Sequence, residues 1–302
     1  MMEVNEMHYT GPVYRHPLEA NTPILEITYG CSWNKCVFCN MYKDVKFGAS
    51  PMDHIEEDLQ ELAGIYPHNL RKIIVANGDP FALSTKRLLE ISSLIRKYFP
   101  EISIISCQTS IRNIMHKKQE ELNQLAEAKY DDIYIGIESG CDGVLKQLNK
   151  GYTSKQEYET LEKLKNSKIR YIALLMGGAG GKKYRDENIE DTAKLLNTYP
   201  PMMISIITTG IATGTKLAQM RDDGEFVQLT EREILEDEIA LIEALDVPNS
   251  TYFYGHHQNN VAKVSGHLKN KDDLVAKFRE RLEYFEDNQP EILDISLARE
   301  YL

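Results

Sequence analysis

The feature of this sequence that most restricts its fold is a repeated alternation of short apolar runs with amphipathic runs. Six apolar runs have the length and the Ile, Val and Tyr content of buried strands. They are Pro23–Tyr29, Arg71–Ala76, Ile102–Cys107, Asp132–Ile137, Arg170–Met176 and Met203–Thr208. Helical patterns lie between them, at Met52–Ile65 (with Ser50 as its N-cap), Ser84–Tyr98, Lys117–Ala128, Lys155–Asn166 and Glu187–Asn197. Strands that alternate with helices pair in parallel through right-handed crossovers, which predicts an α/β fold.

Six strand–helix units allow either an open doubly wound sheet or a barrel, complete or partial, and fall short of the eight units of a closed (β/α)8 barrel. After about Gly224 the rhythm changes. Thr230-Glu231-Arg232-Glu233 is a capping box that opens a helix, and Asp272–Phe285 is a second helical pattern. The sequence predicts an N-terminal extension at 1–22, a core at 23–224, and a mostly helical C-terminal extension at 225–302 that covers the core.

The charge balance excludes some classes of partner. With 35 Lys and Arg against 46 Asp and Glu, the 302 residues carry a formal net charge of -11. Broad binding to nucleic acids or anionic membranes requires clustered Lys and Arg, so neither partner is expected. The N-terminus has no apolar signal segment, and no run approaches the roughly 18 to 20 apolar residues of a membrane span. A cytoplasmic location is predicted.

The cysteines are few and unevenly spread, which is not typical of a disulfide-bonded secreted protein. Of the five, Cys31, Cys36 and Cys39 lie within nine residues, whereas Cys107 and Cys141 stand alone. The three follow the first predicted strand, at the end of an α/β sheet where binding sites are built. Their C-x4-C-x2-C spacing can supply three thiolates to a [4Fe–4S] cluster and leave one iron open to a ligand.

Three other interpretations of the cysteine segment stay open at this point. A structural zinc site needs four ligands, but the next cysteine is 68 residues further along and the segment contains no His. Plant-type [2Fe–2S] ferredoxins share the spacing, but their fourth cysteine follows more closely and their domain is far smaller. Three buried thiols are the simplest alternative, although a loop rich in Gly, Ser, Asn and Lys is a poor core segment.

The segment Gly30-Cys31-Ser32-Trp33-Asn34-Lys35-Cys36-Val37-Phe38-Cys39 resembles the cluster motif of the radical S-adenosylmethionine (SAM) enzymes. Their usual motif is C-x3-C-x2-C with an aromatic residue before the third cysteine, and Phe38 matches that aromatic. The extra residue between Cys31 and Cys36 departs from the commonest spacing, although one branch of the superfamily has this form. The resemblance implies a partial (β/α)6 TIM-like barrel, a [4Fe–4S] cluster on Cys31, Cys36 and Cys39, and SAM as the second cofactor.

Four later segments resemble the SAM-binding motifs of the superfamily, in the expected order. Asp79 replaces the usual Glu that receives the methionyl amino group, Arg112 would pair with the SAM carboxylate, and Glu138 would accept from ribose hydroxyls. A glycine segment after the fifth strand would let adenosine approach the backbone. Taken alone, each segment is also an ordinary turn or strand end. The residues implied in cofactor binding are Phe38, Asn77, Gly78, Asp79, Pro80, Gln108, Arg112, Glu138, Ser139, Gly177 and Gly178.

The resemblance implies that one electron delivered to the cluster cleaves SAM to methionine and a 5′-deoxyadenosyl radical, which abstracts hydrogen from an unidentified substrate. A small-molecule substrate is expected, because no RNA-binding or cobalamin-binding domain fits in the remaining length. Flavodoxin or ferredoxin is the expected electron donor, with Lys35, Lys43 and Lys46 as a hypothetical docking patch. The alternatives are a non-catalytic iron–sulfur electron carrier or scaffold, and a zinc-stabilised binding module.

Two further groups of residues have a structural and a functional interpretation. The segment Tyr252–Asn260, which contains His256 and His257, is either a cover over the substrate or a structural turn. Cys107 and Cys141 are interpreted as core thiols rather than as reactive ones.

Overall fold

The computed structural model describes residues 7–297 and 299. The described chain divides into two compact units. The first contains residues up to 34, 42–135 and 162–171, and the second contains 35–41, 136–161 and the residues from 172 onward. The domain boundaries predicted from the sequence, 23–224 and 225–302, stay a prediction. The two predicted extensions include residues 1–6, 298 and 300–302, which lie outside the described residues.

The described residues form ten strands and eleven α-helices. The strands are β1 (Ile24–Glu26), β2 (Thr28–Tyr29), β3 (Gly48–Ala49), β4 (Lys72–Ala76), β5 (Ile104–Thr109), β6 (Ile133–Glu138), β7 (Tyr171–Gly177), β8 (Met203–Thr208), β9 (Tyr252–Tyr254) and β10 (Ser265–His267). The helices are α1 (Met52–Ile65), α2 (Thr85–Tyr98), α3 (Ile111–Met115), α4 (Gln119–Glu127), α5 (Asp142–Gln147), α6 (Ser154–Ser167), α7 (Arg185–Thr198), α8 (Lys216–Asp222), α9 (Glu231–Ala244), α10 (Lys271–Asn288) and α11 (Pro290–Leu293).

The first unit is built on parallel strands. β1 pairs with β4, with Ile24 opposite Ile74, and β4 pairs with β5, while the start of β6 pairs with the end of β5. Parallel neighbours need long crossovers, which α1, α2 and α4 provide in chain order. The apolar faces of the helices cover the strands, so that the strands are buried. Fully buried side chains of this unit include Ile55, Leu59, Ile73, Leu88, Ile91 and Ile105.

The second unit also has parallel strands and ends in a hairpin. β7 pairs with β8, with Leu175 opposite Ile206, and β8 pairs in parallel with β9, with Ile204 opposite Phe253. β10 then runs antiparallel to β9 and is the edge strand at this end of the sheet. A hydrophobic cluster in this unit contains Val37, Cys141, Val144, Leu148, Met176, Ala179, Ile211, Leu217, Ala218 and Phe226.

The predicted α/β alternation is confirmed. Each of the six predicted strands has a counterpart, the first one divided into β1 and β2, and the five predicted helices between them correspond to α1, α2, α4, α6 and α7. The predicted capping box opens α9, where the Thr230 hydroxyl accepts from the Glu233 N–H. In the part of the chain that the structure describes, each helix is too short or too polar to cross a lipid bilayer.

The predicted N-cap of α1 is wrong. Pro51 occupies the N-cap position, and no side chain caps the helix there. The reason is that Ser50 still belongs to the extended segment, where its N–H donates to the Ile27 carbonyl oxygen at 3.1 Å. Ser50 is therefore one residue too early to bond the first turn.

Candidate functional site

The cysteine segment begins directly after β2, and its three cysteines are divided between the units. Cys31 belongs to the first unit, and Cys36 and Cys39 belong to the segment 35–41 of the second. These three thiols are half-buried, whereas Cys107 and Cys141 are buried, and all five lie in described residues without a disulfide bond. Thiols on a half-buried polar loop are not core thiols, which argues against the simplest alternative for this segment.

Asp79 anchors the start of the cysteine segment in the first unit. Its Oδ2 accepts from the Ser32 N–H at 3.3 Å, from the Ser32 hydroxyl at 2.7 Å, and from the Cys31 thiol at 3.6 Å. Asp79 is 4% exposed and lies just beyond the carboxyl end of β4. The structure thus places a buried carboxylate beside the first predicted cluster ligand, where it can receive an ammonium group.

Gly78 lies at the closest approach between the loop after β4 and the cysteine segment. Its φ is +62°, and a Cβ built there would lie 1.7 Å from the Gly30 carbonyl oxygen. Its N–H donates to the Tyr42 hydroxyl at 3.2 Å. Glycine is required here both for the left-handed backbone and for the space.

Replacing Gly78 by alanine is therefore expected to lower the free energy of unfolding by about 3 kcal/mol, because backbone strain and steric overlap add. Gly11→Ala is the matched control: φ is +93° there, but nothing lies within 4 Å of the added Cβ. Urea denaturation of both variants measures the difference. Equal losses in the two variants would contradict the close approach of the loops.

Asn77 and Pro80, the other members of this motif, are buried and engaged in the fold. The Asn77 Nδ2 donates to the Glu26 Oε2 at 3.1 Å and to the Pro12 carbonyl oxygen at 3.3 Å. Its Oδ1 accepts from the Tyr14 N–H at 3.4 Å. Pro80 begins a short 3-10 turn. The Asn77 side chain thus fastens the N-terminal segment to the strands, and its contact with a cofactor stays a prediction.

Arg112 stacks on an aromatic residue of the cysteine segment. Its guanidinium carbon lies 4.1 Å from the centroid of the Trp33 ring, a cation–π geometry that fixes the direction of the side chain.

Gln108, near the end of β5, is half-buried, and its neighbour Cys107 is fully buried. Burial raises the pKa of the Cys107 thiol, and the charge of Asp79 adds to the effect. Cys107 is thus a neutral core thiol, as its sequence position suggested.

In the second unit, the backbone on both sides of Cys36 is bonded to residues that follow α5. The Val37 N–H donates to the Leu148 carbonyl oxygen at 3.1 Å, and the Asn149 Nδ2 donates to the Lys35 carbonyl oxygen at 2.9 Å. Phe38 is half-buried against the hydrophobic cluster of this unit. These bonds hold residues 35–38 alongside residues 148–150.

Glu138 forms a buried ion pair at the end of β6. Its Oε1 lies 2.7 Å from the Lys150 Nζ, and the side chains are 13% and 8% exposed. Burial disfavours the charged form of Lys150, but the attraction of Glu138 outweighs it and raises the pKa of Lys150 well above its usual range. Glu138 also has a φ of +62°. One carboxylate oxygen of Glu138 is therefore held by Lys150, and the predicted contact of Glu138 with ribose hydroxyls stays a prediction.

Ser139 is fully buried and engaged within the fold. Its hydroxyl donates to the Asn188 Oδ1 at 2.5 Å and accepts from the Cys141 N–H at 3.0 Å. Since both functions of this hydroxyl are used, Ser139 shapes the turn after β6, and its predicted contact with a cofactor stays a prediction.

A small cavity in the second unit reaches Glu138, Gly177 and Gly178, three of the residues that the sequence implied in cofactor binding. Two acidic residues of α9, Asp237 and Glu238, line the same cavity. The other lining residues are Leu175, Met176, Asn188, Ile189, Thr192, Ile206, Ile234 and Leu241. The structure thus brings the ends of β6 and β7 together with a helix of the predicted C-terminal extension.

Glu238 was not expected from the sequence to be a buried acid. It is 2% exposed, and neither carboxylate oxygen has a hydrogen-bond partner among the described residues. Burial raises the pKa of Glu238 to about 8. Burial also raises the pKa of Asp237 to about 6, although Arg185 donates to its Oδ1 at 2.6 Å and opposes the shift.

The segment Tyr252–Asn260 is fixed to the end of β8. The Asn260 Oδ1 accepts from the Thr208 N–H at 2.8 Å, and its Nδ2 donates to the carbonyl oxygens of Ile206 and Gly255. His256 is exposed, with its Nδ1 2.5 Å from the Ser265 hydroxyl. Asn260 thus has a structural role, and the idea that the segment covers a substrate stays a prediction.

In the first unit, the Cys31 thiol, the Asp79 carboxylate and the Arg112 guanidinium follow the carboxyl ends of parallel strands, the usual place for a ligand site in α/β folds. Residues 25–196, more than half of the chain, match the family model described as the Radical SAM superfamily. The chain belongs to this superfamily, whose cofactors are a [4Fe–4S] cluster and SAM.

Several curated proteins are similar to the chain. The heme chaperone HemW of Lactococcus lactis subsp. lactis is 24% identical over 140 residues, which are 46% of this chain and 36% of that protein. A tRNA-2-methylthio-N(6)-dimethylallyladenosine synthase of Fusobacterium nucleatum subsp. nucleatum is 24% identical over 271 residues, which are 85% of this chain and 58% of that one. The chain spans between 36% and 58% of the length of the curated relatives that it matches.

Solved structures show the same fold. Coproporphyrinogen III oxidase (HemN) from Escherichia coli, described as a radical SAM enzyme, superposes with a TM-score of 0.54 at 16% identity, covering 74% of this chain and 52% of that one. At this identity the likeness concerns the fold alone. It agrees with the TIM-like barrel class expected from the sequence.

Proposed function

We propose that this chain cleaves SAM reductively at a [4Fe–4S] cluster and uses the resulting 5′-deoxyadenosyl radical to abstract hydrogen from a substrate. The observation that carries the proposal is the contact between the Cys31 thiol and the buried Asp79 carboxylate. This contact joins the cysteine segment to the loop of residues 77–80, which resembles the superfamily motif that binds the methionyl amino group of SAM. When bound, the cluster would supply the electron that breaks the S–C5′ bond.

The three cysteines have the donor chemistry for this cluster. Sulfur ligands select iron–sulfur clusters, and Cys31, Cys36 and Cys39 are half-buried thiols on a polar segment. In the described residues, no three His, Cys, Asp or Glu side chains are already grouped to hold a metal ion. The assignment of the cluster to these cysteines therefore rests on their spacing and on the superfamily.

The other residues would bind and orient SAM. Asp79 would accept the methionyl ammonium group, and Arg112, held by Trp33, would pair with the carboxylate. Glu138 would accept from the ribose hydroxyls through the oxygen that Lys150 does not hold. Gly177 and Gly178 would leave room for adenosine, while Phe38, Asn77, Gly78, Pro80, Gln108 and Ser139 would shape the surrounding loops.

We propose a small-molecule substrate and an external electron donor of the flavodoxin or ferredoxin type. The net charge of -11 disfavours nucleic acid as a substrate, although one similar protein is named as a tRNA-modifying enzyme. Lys35, Lys43 and Lys46 are exposed residues of the cysteine segment and its continuation, and they would attract an acidic donor. The Lys43 Nζ donates to the Asn34 carbonyl oxygen at 3.0 Å.

Release of 5′-deoxyadenosine tests this function directly. After anaerobic reconstitution with iron and sulfide, addition of SAM and dithionite is expected to give 5′-deoxyadenosine and methionine in equal amounts, measured by chromatography. A brown protein that binds no SAM would favour the electron carrier or scaffold instead. A colourless protein containing one zinc per chain would favour the zinc-stabilised binding module.

A further inference from the structure

Lys150 is a buried cation that lies alongside the second predicted cluster ligand. The Val37 N–H donates to the Leu148 carbonyl oxygen, and the Asn149 side chain donates to the Lys35 carbonyl oxygen. The residues on either side of Cys36 are therefore bonded to the two residues that precede Lys150. The Lys150 Nζ lies 6.0 Å from the centroid of Phe38, the aromatic residue between Cys36 and Cys39. Lys150 is 7% exposed, so solvent screens its charge poorly.

Three residues surround the Lys150 ammonium group, and none of them removes its positive charge. Glu138 pairs with it at 2.7 Å, and the Tyr152 ring centroid lies 5.8 Å from its Nζ. Glu157 on α6 is fully buried, neither of its oxygens has a hydrogen-bond partner among the described residues, and burial raises the pKa of its carboxyl well above the usual range. Burial thus favours the neutral form of Glu157, although the charge of Lys150 opposes this shift of its pKa. Lys150 is charged at neutral pH, as lysine side chains ordinarily are, and its ion pair with Glu138 stabilises the charged form.

We propose that Lys150 is a positioning residue that raises the reduction potential of the cluster by placing a buried positive charge beside the Cys36 thiolate, while it fixes the Glu138 carboxylate for SAM. This inference rests on the proposed function, because it needs the cluster on Cys31, Cys36 and Cys39. Reduction adds one negative charge to the cluster, and a nearby cation stabilises the reduced state more than the oxidised one.

The expected effect is measurable. One charge removed at this burial is expected to lower the equilibrium constant for one-electron reduction by about tenfold, which corresponds to about 59 mV for one electron. Lys150→Met removes the charge and keeps the length of the side chain. Lys150→Arg keeps the charge and is expected to restore most of the potential.

A redox titration of the reconstituted protein, followed by the electron paramagnetic resonance signal of the reduced cluster, is the test. Lys146→Met is the matched control: it makes the same change in charge on the exposed face of α5. Lys150→Met is expected to lower the potential, and Lys146→Met is expected to leave it unchanged. Equal potentials for Lys150→Met and the wild type would overturn the proposal.

A second comparison covers the case in which Lys150→Met fails to fold because Glu138 is left as an unpaired buried charge. The double variant Lys150→Met/Glu138→Gln removes both charges, and it is compared with Glu138→Gln alone. A lower potential in the double variant supports the role of Lys150, and equal potentials contradict it. If the wild type itself forms no reducible cluster, the proposed function fails instead, and the two failures are distinguishable.

Discussion

Alanine in place of Cys31, Cys36 or Cys39 is expected to abolish the formation of 5′-deoxyadenosine and most of the iron binding. Three thiolates are the fewest that can hold a [4Fe–4S] cluster and leave one iron open for SAM, so the loss of one leaves the cluster with only two protein ligands. The expected fall in activity is at least about 10³-fold, in the range found when a central group of a catalytic site is removed. Iron and sulfide content, together with the product assay, measure both losses.

Cys141→Ala is the matched control for the cysteine variants. Cys141 is buried, at 4% exposure, in the hydrophobic cluster of the second unit. Its loss is expected to cost about 1 kcal/mol of stability through a small cavity and to leave iron binding intact. If Cys141→Ala lost the cluster as fully as Cys36→Ala, or if Cys36→Ala kept it, the ligand assignment would be wrong.

The second large effect concerns the pH dependence of stability. The pKa of Glu238 is raised from 4.5 to about 8 in the folded state. Below pH 4.5 both folded and unfolded states bind the proton, and the protonated acid contributes its full stability. As the pH rises from 4.5 through 8, unfolding releases the proton and this stability is lost. At about 1.4 kcal/mol for each pKa unit, the loss is on the order of 4 kcal/mol.

Glu238→Gln is expected to remove this pH dependence, because the amide is neutral at every pH and has a similar shape. Urea denaturation should show the variant and the wild type close together at pH 5, with the variant more stable by about 4 kcal/mol at pH 8. Glu187→Gln, at an exposed position of α7, is the control and should follow the wild type. A wild type whose stability rises between pH 5 and pH 8 would rule out a protonated Glu238. Asp237, with its pKa raised to about 6, contributes in the same direction at lower pH.

Regular elements of this fold were predictable because their periodicity is local. β8 was predicted with its observed bounds, and the other core strands within two residues. The short helices α3, α5 and α8 were missed, since five to seven residues are too few to show a helical period. The error at Ser50 has a different origin: its bond to Ile27 is made across 23 residues and leaves no mark on the local pattern.

The site was predictable only in part. The cysteine spacing and the order of motifs are visible in the sequence, whereas the pairing of Lys150 with Glu138 depends on how the chain folds back through α5 after β6. The buried acids did leave a signal. Glu157 stands on the apolar face of α6 with Leu161 and Leu164, and Glu238 stands on that of α9 with Leu241. An acidic residue on the apolar face of a helix is expected to be buried with that face. Because burial of a charged group is costly, such a residue is a candidate for a shifted pKa.

The hairpin of β9 and β10 limits the pairing of further strands with the sheet of the second unit, because β10 is its edge strand. A strand at a sheet edge offers unpaired N–H and C=O groups to any passing chain, and proteins protect such edges with short strands and polar side chains. β10 has only three residues, Ser265, Gly266 and His267, and α10 begins four residues after it ends. So short and polar an edge strand offers another polypeptide few groups for hydrogen bonding. β10 therefore protects the outer edge of β9, which pairs with β8 on its other side, from edge-to-edge aggregation.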